Sequence, residues 1–413
     1  MNINYRSLRK ISGLHKTYRF SKALLAAFRG KKMRSRIRTN MQSSVVQLEG
    51  WKNLFCGYYD HSPFNPADET LLLVHANNQP AWRQPSPKTP TEILLINWRD
   101  KRLIRSLGTT YSWNWQQGAR GMWLDCDSVI YNIYDASSNR YLAKVVDSEG
   151  RDRALLPIPI QEYDGKSKIF SINYDALRSI RPDYGYRNRY LSKNEFYDNG
   201  ITSYDIETGK FDVIIDIYEL QNDAMMRHNG KIFGVKINHV MSSPDAAFLI
   251  FLFRYHVNSR RVTDLYLIDL KTNYWRCLVS DSGTSHCCWA GNSRVLATMN
   301  GSKGFGYYFL DIFDGGLVCK WLYSDGHPVF MSDESYITDT YPDQFGIRHL
   351  LAVPYEDSGS RTELAAFPEP VFFQGETRCD LHPSLSHSQS FVQVDCAMGH
   401  RRSVAVLPNI VRE

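Results

Sequence analysis

The chain has 413 residues, 43% apolar and 22% charged, with 26 Gly, 17 Pro and a 13% aromatic share, a composition that excludes a disordered, collagen-like or coiled-coil protein. Its longest aliphatic stretches, such as Phe248 to Phe253, fall far short of the roughly 20 residues that a membrane-spanning helix needs. Residues 1–48 carry 12 Lys/Arg and no Asp/Glu, which leaves 37 basic and 43 acidic groups in the rest; a mildly acidic body argues against a nucleic-acid-binding face.

In the basic arm, Phe20, Leu24, Leu25 and Phe28 predict the apolar stripe of a short helix flanked by Lys22 and Arg29. Such a segment suits an anionic membrane surface or an acidic partner, and a solvated basic tail has the same composition. The apolar run Ala23 to Phe28 is short and sits behind a long charged stretch, which makes a poor secretory signal, although a transit peptide is also basic and acid-poor. Cys56, Cys126, Cys277, Cys287, Cys288, Cys319, Cys379 and Cys396 form no CxxC pair and read as reduced thiols. Together these place the protein in the cytoplasm, peripheral at the inner membrane if the arm engages it.

After the arm, residues 49–413 show a repeat. Tyr58 opens YYDHSPFNPADETLLLVHA and Arg120 opens RGMWLDCDSVIYNIYD. His239 opens HVMSSPDAAFLIFLFRY, His286 opens HCCWAGNSRVLATM, and His327 and His382 each open an HP-containing copy. Ser62-Pro63 and Ser243-Pro244 stand in the same register, as do Trp123 and Trp289. The four His openers are 47, 41 and 55 residues apart, which fits propeller blades of about 40–50 residues. The gap from Arg120 to His239 holds two blades, one of them centred near Ser171–Ser179, for a count of seven. Turn clusters, β-branched and aromatic strands and the lack of a long amphipathic helix after residue 50 support an all-β, seven-bladed β-propeller with a basic N-terminal extension.

In a propeller, equivalent positions on the innermost strands ring one mouth of the central channel. Here that ring is Tyr58, Arg120, an unassigned third residue, His239, His286, His327 and His382. Convergent imidazoles with Asp380 two residues before His382 suit a divalent metal, Mn or Zn; the same ring without metal suits an anion, through imidazolium and Arg120. Further channel-side candidates are Arg254, Tyr184 and Tyr186, and Trp113, Trp115, Gln116 and Gln117 in SWNWQQGAR. Aromatic faces, amides and planar guanidinium forks are what an acidic oligo- or polysaccharide requires.

The motifs GYYDHSP, WNWQQGAR, His239-SPD, SH-xx-W at His286, DGHP at His327 and RCDLHP at His382 resemble those of the propeller polysaccharide lyases, the oligogalacturonate lyase family and its ulvan lyase relatives. The resemblance covers about residues 50–407 and extends to propellers of bacterial surface-polysaccharide clusters. It implies β-elimination on a uronate-containing glycan, with His239 as the base and His286 and His382 as metal ligands. The chain departs from that family where Asp380 and Thr377 replace a His and a Gln, so the implied metal site is altered, uses His327 instead, or is absent, with Asp380 either an oxygen ligand or a residue that orients an imidazole. Ulvan-type relatives imply a metal-free set of His239, Tyr186 and Arg254. Tyr58 and Arg120 of the ring, with Trp115 and Gln117 from SWNWQQGAR, are the expected substrate contacts. The alternative function is a non-catalytic propeller that binds a glycan or partner during surface-polysaccharide biosynthesis.

Overall fold

The computed structural model describes residues 5–41, 44–189, 200–322, 325–332, 335–355 and 361–410. Twenty-eight strands form seven four-stranded antiparallel sheets, each a blade. The innermost strands, in chain order, are Asn53–Phe55, Met122–Trp123, Glu162–Tyr163, Ile232–Ser242, Cys287–Trp289, Val329–Phe330 and Ser384–Leu385. The chain is a seven-bladed β-propeller.

Closure comes from the N-terminal side. Val45–Val46 adds as the outermost strand of the seventh blade, pairing Val45 with Ala405 and Val46 with Val404. The propeller therefore starts at Val45, not at residue 49, because two buried valines just ahead of the expected boundary supply the missing edge partner. The third blade also differs from expectation. Its inner strand is Glu162–Tyr163, and much of the Ser171–Ser179 stretch is a helix, Tyr174–Ile180, begun by an Asn173 side chain that accepts from the amides of Asp175 and Ala176. A second helix, Ile217–His228, capped by Asp216, joins the third and fourth blades.

Blades pack face to face, so a middle strand is covered on both sides. Phe248–Val257 shows this: Leu249 through Phe253 are all inaccessible, each large side chain contributing about 1.5–3 kcal/mol on burial. At one crossing the backbone itself must be small. Gly118 has φ +58, and a Cβ there would lie 2.4 Å from the buried His75 ring. The His75 Nε2 in turn accepts from the Ala119 amide at 3.0 Å. Gly118→Ala is expected to destabilise the fold by about 2–5 kcal/mol, from left-handed strain and overpacking; an unchanged urea midpoint would contradict this packing.

The basic arm forms two helices, α1 (Tyr5–Arg29) and α2 (Lys31–Met41), seated on the sixth blade. The buried Arg34 guanidinium donates to the carbonyls of Gly346 (2.9 Å) and Glu369 (2.6 Å). Gly30 sits where a Cβ would come within 2.6 Å of the Phe345 carbonyl oxygen, and Phe20 packs on Phe372. A solvated tail is thus not what the described part of the arm forms. Among the described residues no helix is long and apolar enough to cross a membrane.

Candidate functional site

Four imidazoles line one end of the central channel in blade order. Ring centroids are 5.4 Å apart for His239 and His286, 4.1 Å for His286 and His327, and 4.4 Å for His327 and His382. Tyr58 closes the circle, 5.3 Å from His239 and 4.8 Å from His382. Arg120, His327 and His382 each stand two residues before an inner strand, whereas His239 lies within one, at a bulge between Asn238 and Met241. Arg120, His239 and His382 share a left-handed backbone, with φ of 54°, 54° and 46°. Three bulky residues held in that region store strain where the channel opens.

Hydrogen bonding selects the tautomers. His327 Nδ1 lies 2.9 Å from Asp339 Oδ1, and His382 Nδ1 lies 2.8 Å from the Gly57 carbonyl oxygen. A neutral imidazole must donate to both acceptors, so each Nε2 carries a lone pair. Neither Nε2 has a hydrogen-bond partner, and both are buried. One ligand atom each from His327, Asp380 and His382 lies within 4.8 Å of the others. Asp339 also accepts from the amides of Leu381 and His382, so one carboxylate orients a ligand and the backbone that carries another. Burial works against ionisation of Asp380, but Arg378 (2.6 Å) and Arg348 (3.0 Å) hold its carboxyl well below the usual range. Two unpartnered imidazole nitrogens beside an ionised carboxylate fit a divalent cation. The expected fourth ligand, His286, turns its Nδ1 to Asp325 at 3.1 Å instead and stands outside this group.

Burial holds His239, His286 and His382 below the ordinary histidine range. Burial, then the charge of Arg254, pushes His239 well below 6.5, and burial with His327 lowers His286 to about 4. The Tyr58 hydroxyl lies 2.9 Å from His239 Nδ1, and burial keeps it protonated. Arg254 is buried beside this pair, donating to the Ser285 carbonyl at 2.7 Å. Its cross-strand partner Lys236 is brought down to about 6 by burial, Arg181 and Arg254.

Several expected contacts lie elsewhere. Tyr186 does not reach the ring: its hydroxyl meets Asn132 Nδ2 at 2.9 Å and its ring stacks on Tyr174. Tyr184, two residues earlier, lies 6.3 Å from His239 and 5.9 Å from Tyr58. Trp115 is a core residue, donating to the Arg83 carbonyl and stacked under Arg402. The Arg120 guanidinium is taken by Asp60 at 2.9 Å and by the Gln161 carbonyl, because both are buried against it. Gln117 faces the same small recess as Asp60 and Arg120. Thr377 binds the Gln374 carbonyl rather than the ligand group. The sequence reading missed Arg378, although it stands in the same RCDLHP motif as Asp380 and His382, and missed Asp339, which carries no motif at all.

No protein family model and no curated protein matches this chain. Among solved structures it is similar to an oligogalacturonate lyase in complex with manganese, at 12% identity and a TM-score of 0.59, covering 89% of this chain and 97% of that one. An oligogalacturonate lyase from Vibrio parahaemolyticus is similar at 12% identity and a TM-score of 0.58, covering 89% and 91%. The likeness is one of fold: the lyase propellers and this chain share the seven-bladed architecture.

Proposed function

We propose that this propeller acts on a uronate-containing glycan by β-elimination, with the imidazole ring as the reacting centre. The observation that supports it is the pairing of neutral His239 with the Tyr58 hydroxyl beside the His327–Asp380–His382 group. A neutral imidazole in reach of the uronate C5 takes its proton as general base. The Tyr58 hydroxyl lies 2.9 Å from His239 Nδ1 and 3.1 Å from Nε2, and the ring nitrogen left with its lone pair is the basic atom. Arg254 offsets the charge that gathers on the carboxylate as the C5–H bond breaks, and Tyr58 is the nearest hydroxyl to protonate the departing oxygen. A divalent cation held by His327, His382 and Asp380 would supply further charge stabilisation at that carboxylate.

One observation favours a second reading. All four imidazoles are only 1–5% exposed, as in a closed structural metal centre, whereas catalytic centres keep an open position. In that reading the protein is a non-catalytic glycan- or partner-binding propeller of surface-polysaccharide biosynthesis. The two readings share the metal and differ in chemistry, so metal uptake is tested first. Purified protein loaded with Mn or Zn and dialysed is expected to retain one equivalent. Asp339→Asn, which turns one of the two oxygens that accept from His327 and from the Leu381 and His382 amides into an NH2 donor, is expected to weaken retention about 10–100-fold. Unchanged retention in Asp339→Asn would remove this group as the ligand set.

A further inference from the structure

Docking leaves one side of the arm without a protein partner. Gly30 and Arg34 are spent on the sixth blade, and Ala26 is buried with them. On the opposite side Phe28 is 79% exposed and Leu24 55%, while Leu25, partly exposed, edges the cavity beside Ala26. Spacing explains the split: Leu24 and Phe28 are four residues apart and share a helix face, while Ala26 and Gly30 share the other. The exposed face continues onto the propeller through Phe372, which Phe20 touches, and the neighbouring Trp82. Lys22, Arg29, Lys31, Lys32 and Arg36 border it, exposed and in no ion pair among the described residues. Nothing acidic occurs before residue 49.

We propose that α1 and the start of α2 form a docking surface for an anionic lipid bilayer. Aromatic and leucine side chains on one helix face, bordered by lysine and arginine, match the interface between acyl chains and headgroups. The cations match the negative surface of a leaflet, at roughly fivefold in partition per basic group. An exposed patch of this size on a helix already packed on its other side is not explained by folding. A cavity of about 500 Å³ lies between α1 and the sixth blade with the segment that follows it, and Arg348 and Arg378 stand in its wall. Both arginines pair with Asp380, so α1 sits beside the segment that carries His382.

Full-length protein is sedimented with vesicles of phosphatidylcholine alone or mixed with phosphatidylglycerol, at low and high salt. Pelleting is expected with the anionic vesicles only and to be weakened by salt. Leu24→Glu combined with Phe28→Glu is expected to lower binding at least tenfold with the melting temperature unchanged, since both side chains are exposed. Lys31→Gln with Lys32→Gln is expected to weaken it and flatten the salt dependence. Wild-type protein that stays in the supernatant, or that pellets equally with neutral vesicles, overturns the proposal. So does wild-type-like pelleting of the double glutamate variant, or retention on an acidic polypeptide in the absence of vesicle binding. None of these readouts depends on the chemistry of the ring.

Discussion

Mild acid is expected to destabilise this propeller steeply, with stability falling fastest as pH drops from 6.5 to about 5. The cause is a set of buried neutral imidazoles. Burial lowers His75 and, with His327, His286 to about 4, and it lowers His239 and His382 well below 6.5. In the unfolded chain each regains an ordinary pKa near 6.5. Because the folded pKa is depressed, the unfolded state binds more protons below 6.5, and stability falls as pH falls. Asp395 works the other way: burial raises its carboxyl to about 7, so the folded state holds a proton there that the unfolded state lacks. Four imidazoles against this carboxyl leave an excess of about three protons near pH 5. At about 1.4 kcal/mol per proton per pH unit, the slope is about 4 kcal/mol per unit, against a total stability on the order of 5–15 kcal/mol. Melting temperatures recorded from pH 8 to pH 4.5 check this. A flat profile down to pH 5 would mean that the ring is charged or solvated in the folded protein.

The second large effect is on chemistry. His239→Asn is expected to lower eliminative turnover by about 10²–10⁴-fold, the range typical of a general base, while leaving metal content intact because His239 is outside the His327–Asp380–His382 group. Tyr58→Phe, which removes the hydroxyl 2.9 Å from His239, is expected to lower turnover less and to shift its pH profile. Equal turnover in His239→Asn and wild type would move the base elsewhere, and Lys236, brought down to about 6 in the same region, would be the next residue to substitute.

The propeller and four of its channel positions were legible because one grammar recurs: a His, a short inner strand, a turn cluster and an apolar strand. The third blade was not, because its inner strand is only Glu162–Tyr163 and a helix at Tyr174–Ile180 stretches the spacing between its strands. Side-chain direction was the other gap. Tyr184 and Tyr186 are indistinguishable by type, yet Asn132 and Tyr174 draw the second away from the ring. Trp115 and Arg120 look like ligand contacts until Phe55, Arg402 and Asp60 are placed around them. The residues that set tautomers, Asp339 and the Gly57 carbonyl, are far from their imidazoles in sequence or offer only backbone, so no motif announces them.

The most direct measurement is incubation of the metal-loaded, full-length protein with a panel of uronate polymers, following the ultraviolet absorbance of the unsaturated product. Rising absorbance with at least one polymer, abolished in His239→Asn, is the predicted result. Flat traces across the panel, from protein that holds its metal, would contradict elimination at this ring and leave the closed metal centre of a binding propeller.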